Sequence, residues 1–227
     1  MTTVLLVRHG LTKLTGPVLA GWTPGLHLDA RGEKQAAELA VRLAAVPLAA
    51  VVTSPLERCV DTATAVVGDR DLTLEVDDRL GECRYGDWTG AELKKLAKDP
   101  LWKVVQAHPS AVTFPNGESL RAVQARAVDA VREWNGRLGD DATWVACSHG
   151  DVIKAVIADA LGLHLDQFQR IQVDPCSLTV IRYTELRPFV VRLNDTGSGV
   201  ADLMPPKRKG RRKPSSDAAV GGGSGAA

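Results

Sequence analysis

The sequence predicts an α/β fold, a three-layer α/β/α sandwich built on a mainly parallel sheet. Three observations predict it. Short apolar runs alternate along the chain with amphipathic stretches of ten or more residues, the pattern of strands that cross over through helices. The runs are hydrophobic throughout rather than in alternation, as expected of strands covered on both faces. Three of them stop abruptly in the polar stretches RHG, TSPLER and CSHG, and in parallel sheets ligands bind beyond the carboxyl ends of the strands.

Thr2 to Val7, reading TTVLLV, is the first buried strand. From Asp29 the period changes, and Ala36, Leu39, Ala40, Leu43 and Val46 recur at helical spacing, with Asp29 as N-cap and Pro47 as the stop. LAAVVTSP, residues 48–55, is the second strand, and residues 55–67 form a helix with Pro55 in its first turn. Residues 119–138 make a long amphipathic helix, TWVACSH at 143–149 a third buried strand, and residues 151–162 a helix that Gly162 ends. The β-rich runs 177–184 and 187–195 complete the body. Segments 11–24 and 84–117 are poorly readable, and substrate specificity is expected to reside there.

At 227 residues, with 44% apolar and 24% charged, the chain has the composition of an ordinary globular protein and is expected to form one domain over residues 1–195. After Asp195 the composition shifts to Gly, Ser, Pro and Ala around KRKGRRKP. Residues 196–227 hold six basic and two acidic side chains, so the net +1 of the whole leaves a mildly acidic body. With so few large apolar groups, 196–227 is expected to be a disordered, solvated tail. Nucleic-acid contact through its basic run is the alternative reading.

No apolar run is long enough to span a bilayer, and the start MTTVLLVRHG lacks the charged region and cleavage site of a secretory signal. A cytoplasmic location without membrane association is expected, with the four cysteines as free thiols. A homodimer is the expectation for a soluble enzyme of this size.

The strand ends carry Arg8, His9, Arg58 and His149, two guanidiniums and two imidazoles. Such a cluster calls for an anion, because the guanidinium fork matches phosphate oxygens and helix-start N–H groups add to the same field. Neighbouring cations favour the neutral imidazole, which leaves a ring nitrogen free as a nucleophile. A zinc site is the rival reading for two histidines, but neither HxxxH spacing nor a Cys/His cluster accompanies them, and the arginines would repel a cation. No metal and no cofactor is expected. Trp22, Trp88 and Trp102 read as packing residues, with a place lining the pocket mouth as the alternative, and His27, His108 and His164 as ordinary surface or packing residues.

Six blocks in order, LLVRHG, AGWTPGLHLDARG, TSPLERCVDTA, LGECRYGDWTG, FPNGESL and CSHGDVI, resemble the histidine phosphatase superfamily, also called phosphoglycerate mutase-like, over essentially all of residues 3–195. The resemblance implies that His9 is the phosphorylated nucleophile, that Arg8, Arg58 and His149 complete the phosphate pocket, and that Glu82 is the acid that protonates the leaving oxygen. It also implies substrate contacts from Thr12, Thr15 and Gly150. Glu118 in NGES is a second candidate for the acid. Asp151 stands where many members carry Gly, and it reads as a first-turn helix residue favoured by the macrodipole, with a substrate role as the alternative.

Members that act as mutases carry a long insertion between the acid and the second histidine, whereas here only 67 positions separate Glu82 from His149. The resemblance therefore implies the phosphatase branch, with a small phosphorylated substrate and water as the final acceptor. A mutase-type phosphotransferase and a non-catalytic phosphate-binding adaptor are the competing readings. Loss of the nucleophile or the acid would mark the adaptor, and neither is lost.

Overall fold

The computed structural model describes residues 1–197. From residue 198 on, the segment read as a disordered basic tail lies outside the described residues. Six strands form one sheet: β1 (Thr2–Arg8), β2 (Ala50–Thr53), β3 (Leu74–Val76), β4 (Thr143–Ser148), β5 (Leu178–Tyr183) and β6 (Pro188–Asp195). Their order is β3-β2-β4-β1-β5-β6. β1, β2, β3 and β4 pair in parallel, and β5 and β6 add an antiparallel edge beside β1. Each parallel strand is joined to the next through helix, as a parallel pair requires.

The sheet is buried on both faces, which is why its central strands read as unbroken apolar runs. Successive side chains of a strand point to opposite faces. Leu5 and Val7 of β1, with Val51, Val145 and Cys147, pack beneath α1 (Ala30–Leu43) and α2 (Glu57–Val67). Val4 and Leu6, with Val52, Trp144 and Ala146, face the other layer. That layer contains α5 (Leu120–Leu138) and α6 (Gly150–Ala160), together with the short helices α3 (Leu93–Leu96) and α4 (Pro100–Ala107). Among the described residues, no helix is long and apolar enough to cross a membrane.

Asp29 caps α1 as its sequence position predicts, its side chain accepting from the N–H groups of Arg31 and Gly32. Two boundaries differ from expectation. α1 ends at Leu43 rather than Val46, and Val46 still packs against the core from the turn that follows. α2 begins at Glu57 with Leu56 as an extended N-cap, so Pro55 precedes the helix instead of occupying its first turn. Ser54 Oγ accepts from the Leu56 N–H and shapes this turn, an interaction with no periodic signature in the sequence.

Segment 84–117 was unreadable for a physical reason: α3 and α4 are four and eight residues long, too short to display a helical period. They are held by burial of Trp88, Trp102, Val105, Val112 and Phe114, most of them separated by turns. Trp88 and Trp102 are packing residues, their rings 6.2 Å apart in the core.

Candidate active site

The carboxyl ends of β1, β2 and β4 lie side by side and are laced together by backbone hydrogen bonds. His9 N–H donates to the Ser148 carbonyl at 3.0 Å, and Ser54 N–H to the Cys147 carbonyl at 2.9 Å. Gly10 N–H donates to Thr62 Oγ1 of α2 at 3.1 Å, which ties the loop after β1 to the helix that carries Arg58. The three polar stretches read at strand ends therefore meet at one place.

A cleft opens there, lined by Arg8, His9, Thr12, Thr15, Arg58 and Glu82. Val18, Leu19, Ala20 and Leu93 form its apolar wall. Thr12 Oγ1 and Thr15 Oγ1 are 3.0 Å apart, and Thr15 Oγ1 also accepts the Thr12 N–H, so the two hydroxyls are held as a pair. His149 and Gly150 do not line the cleft. His149 is wholly buried behind it with its ring centroid 5.2 Å from that of His9, and Gly150 is buried as the first residue of α6.

The ring states follow from donor and acceptor logic. A carbonyl only accepts, so the 2.7 Å contact between His9 Nδ1 and the Gly10 carbonyl requires a proton on Nδ1. Nε2 of His9 then carries a lone pair, which accepts from Arg58 Nε at 3.2 Å. Arg58 Nη2 only donates, to the Gly21 carbonyl at 2.8 Å and to His149 Nδ1 at 3.2 Å. His149 therefore holds its proton on Nε2 and donates it to Ser54 Oγ at 2.7 Å. Both imidazoles are neutral. Burial lowers each well below the usual histidine range, with Arg58 and then Arg8 adding to the effect at His9, and Arg58 and then His9 at His149.

Glu82 is 4% exposed. Its Oε1 accepts the Cys83 N–H at 2.9 Å, while Oε2 lies 3.8 Å from His149 Nδ1. Its backbone carbonyl is pinned by Trp22 Nε1 at 2.6 Å and Arg126 Nη2 at 3.0 Å. Burial, and next the nearby Asp151, push its carboxyl up to about 7, against the opposing pull of Arg58 and Arg8. Glu118 is placed elsewhere: it pairs with Arg126 at 2.7 Å, accepts the Arg84 N–H at 2.8 Å, and does not line the cleft.

Sequence reasoning passed over Ser54, Arg126 and Tyr85. Ser54 lies within TSPLERCVDTA, where no local pattern distinguishes it from a turn residue. Arg126 is eight residues from Glu118 on a helix whose period signals only its apolar face, so nothing local marked it. The surface reading of the remaining histidines holds, with the His27, His108 and His164 side chains 64%, 71% and 65% exposed.

The family model of the histidine phosphatase superfamily (branch 1) matches residues 4–196. Phosphoserine phosphatase 1 of Hydrogenobacter thermophilus is 31% identical over 202 residues, spanning 86% of this chain and 93% of that protein. Glucosyl-3-phosphoglycerate phosphatase of Mycolicibacterium vanbaalenii is 31% identical over 174 residues, covering 73% of this chain and 76% of its own. Among solved structures, YhfR of Bacillus stearothermophilus matches with a TM-score of 0.77 at 31% identity, over 86% of this chain and 98% of that one.

Proposed function

Because the chain belongs to the histidine phosphatase superfamily and is a phosphomonoesterase, we propose that His9 Nε2 is the atom that carries the phosphoryl group between ester and water. The observation that supports this most directly is the 2.7 Å bond from His9 Nδ1 to the Gly10 carbonyl, which turns the basic nitrogen toward Arg58 and the cleft.

The substrate dianion enters between Arg8 and Arg58, whose fixed charges meet the equatorial oxygens, with the paired Thr12 and Thr15 hydroxyls as further donors. His9 Nε2 attacks phosphorus in line, and the bond to the ester oxygen breaks. Glu82 gives its proton to the departing oxygen, so the product leaves as a neutral alcohol. The positive charge left on the imidazole is met by the Gly10 carbonyl at Nδ1–H. In the second step ionised Glu82 takes a proton from water, the oxygen attacks phosphorus, and the P–N bond electrons return to Nε2. Inorganic phosphate departs with the site restored. His149, held neutral between Ser54 and Arg58, keeps the Arg58 guanidinium in its plane.

The two named relatives are phosphatases of small phosphorylated metabolites, which supports a substrate of that class. The catalytic unit is residues 1–195, placed in the cytoplasm, where four buried free thiols stay reduced. Rapid acid-free quenching with ³²P-labelled substrate tests the central step. An acid-labile, base-stable label absent in His9→Ala is expected. Undiminished labelling or turnover in His9→Ala would overturn the assignment.

A further inference from the structure

The apolar wall of the cleft has no part in the reaction as described. It is built by two segments distant in the chain, residues 17–19 and 90–93, which run side by side. Leu93 N–H donates to the Pro17 carbonyl at 3.0 Å, Leu19 N–H to the Ala91 carbonyl at 2.9 Å, and Gly90 N–H to the Leu19 carbonyl at 2.8 Å. An antiparallel bridge pairs Val18 with Glu92. From this ladder the half-buried Val18 and Leu93, one from each segment, line the cleft, and Leu93 also packs against the core. The polar backbone groups along the wall are engaged elsewhere. Val18 N–H donates to the Leu14 carbonyl at 3.4 Å, and the Ala20 carbonyl accepts from Thr23 N–H at 3.1 Å and Thr23 Oγ1 at 2.6 Å. The Gly21 carbonyl accepts from Arg58 Nη2 at 2.8 Å. A hydroxyl pressed against this wall would lose its water and meet carbon.

We infer that Val18 and Leu93 are specificity-determining residues, and that the cleft takes phosphomonoesters with an apolar arm beyond the ester oxygen in preference to the polyhydroxylated arms of sugar phosphates. The inference rests on the phosphoryl group lying against His9. Attack from His9 runs in line, so the leaving oxygen stands on the far side of phosphorus and its arm lies in the rest of the cleft, against the wall. The wall is a paired ladder instead of two free loops, so little ordering opposes the contact. Each methylene brought against it leaves water, which is worth about fourfold in kcat/KM. A hydroxyl in place of a methyl finds no partner there.

The test is kcat/KM for ethyl, propyl, butyl and pentyl phosphate and for 4-hydroxybutyl phosphate, in which a hydroxyl replaces the terminal methyl of the pentyl ester. The leaving alcohols are nearly alike in acidity, so differences report the arm and not the bond that breaks. In wild type kcat/KM should rise about fourfold per methylene along the series. The pentyl ester should exceed the hydroxybutyl ester by about tenfold or more. Val18→Thr and Leu93→Asn each place a hydrogen-bonding group in the wall at nearly constant volume, and each should cut that ratio by at least about threefold. The ratio is internal to each protein, so a variant that only loses stability or active fraction leaves it unmoved. Should Leu93→Asn fail to fold, Val18→Thr decides alone. A flat series, equal rates on the pentyl and hydroxybutyl esters, or a ratio that stays at the wild-type value in the folded variants overturns the inference. If turnover in those cases still depends on His9, the reaction assigned to the cleft stands. Undiminished turnover of these esters in His9→Ala would overturn both.

Discussion

His9 and Glu82 hold the protonation states opposite to those that water would assign each under moderate acid and neutral conditions. Burial beside Arg58 and Arg8 keeps His9 a neutral base, and burial beside Asp151 keeps Glu82 an acid up to about pH 7. For the kcat/KM profile, which reports the free enzyme, the signs follow. Glu82 must be protonated to act, so the rate falls as pH rises through about 7. His9 must be deprotonated, and its lowered range puts the acid limb well below pH 6.5, its ordinary value. A bound phosphate dianion raises Glu82 further, so the kcat limb lies higher than the kcat/KM limb. Glu82→Gln should abolish the alkaline limb and should slow alkyl phosphates, which have poor leaving groups, far more than activated aryl phosphates. General acid help is worth about a hundredfold or more, so the alkyl-to-aryl rate ratio should drop at least about tenfold. Equal losses on the two substrates, or a selective loss in Glu118→Gln instead, would reassign the acid.

Between elements, the reactive loop after β1 is clamped by the start of α1. A β-carbon on Gly32 would stand 2.1 Å from the Leu11 carbonyl oxygen, and one on Gly10 would stand 2.7 Å from the Gly32 carbonyl oxygen. Neither glycine is required by a left-handed backbone; each is required by closeness. Gly32→Ala must push α1 away from residues 9–12, or distort them. Overpacking of this kind costs about 1–3 kcal/mol. Because a displacement near 1 Å at reacting groups lowers rates by about a hundredfold, kcat should fall far more than Tm suggests. Parallel measurement of Tm and kcat checks this, and a kcat within about twofold of wild type would show that the clamp does not position His9. Ser54 belongs to the same scale. The turn that displaces Pro55 from α2 delivers its hydroxyl both to the Leu56 N–H and to His149, so one loop sets a helix start and an imidazole tautomer together.

At the scale of the whole molecule, the parallel strands bring Arg8 from β1 and Arg58 from α2 to one rim with the neutral His149 at the end of β4, while Glu82 comes from the irregular segment that follows β3 in the chain. The cleft is thus a fixed positive field with a single proton donor, suited to an anion and hostile to a second cation. Activity should therefore be unchanged by EDTA, and loss restored by zinc or magnesium would overturn a metal-independent reaction. The sequence by itself determined the sheet and its helices, because strands buried on both faces and helices with one apolar stripe each write a period into the chain. It also marked Arg8, His9, Arg58 and His149, since each stands directly at a strand end or within a turn of it. What only the tertiary structure decided was everything that depends on closeness between distant segments. It lined the cleft with Glu82 while pairing Glu118 with Arg126, set His149 behind the cleft rather than in it, and placed Asp151 beside Tyr85 and Lys154. Periodicity reports which face of an element is buried. It carries no record of which charges share that burial, and in a low-dielectric interior those neighbours decide where the protons reside.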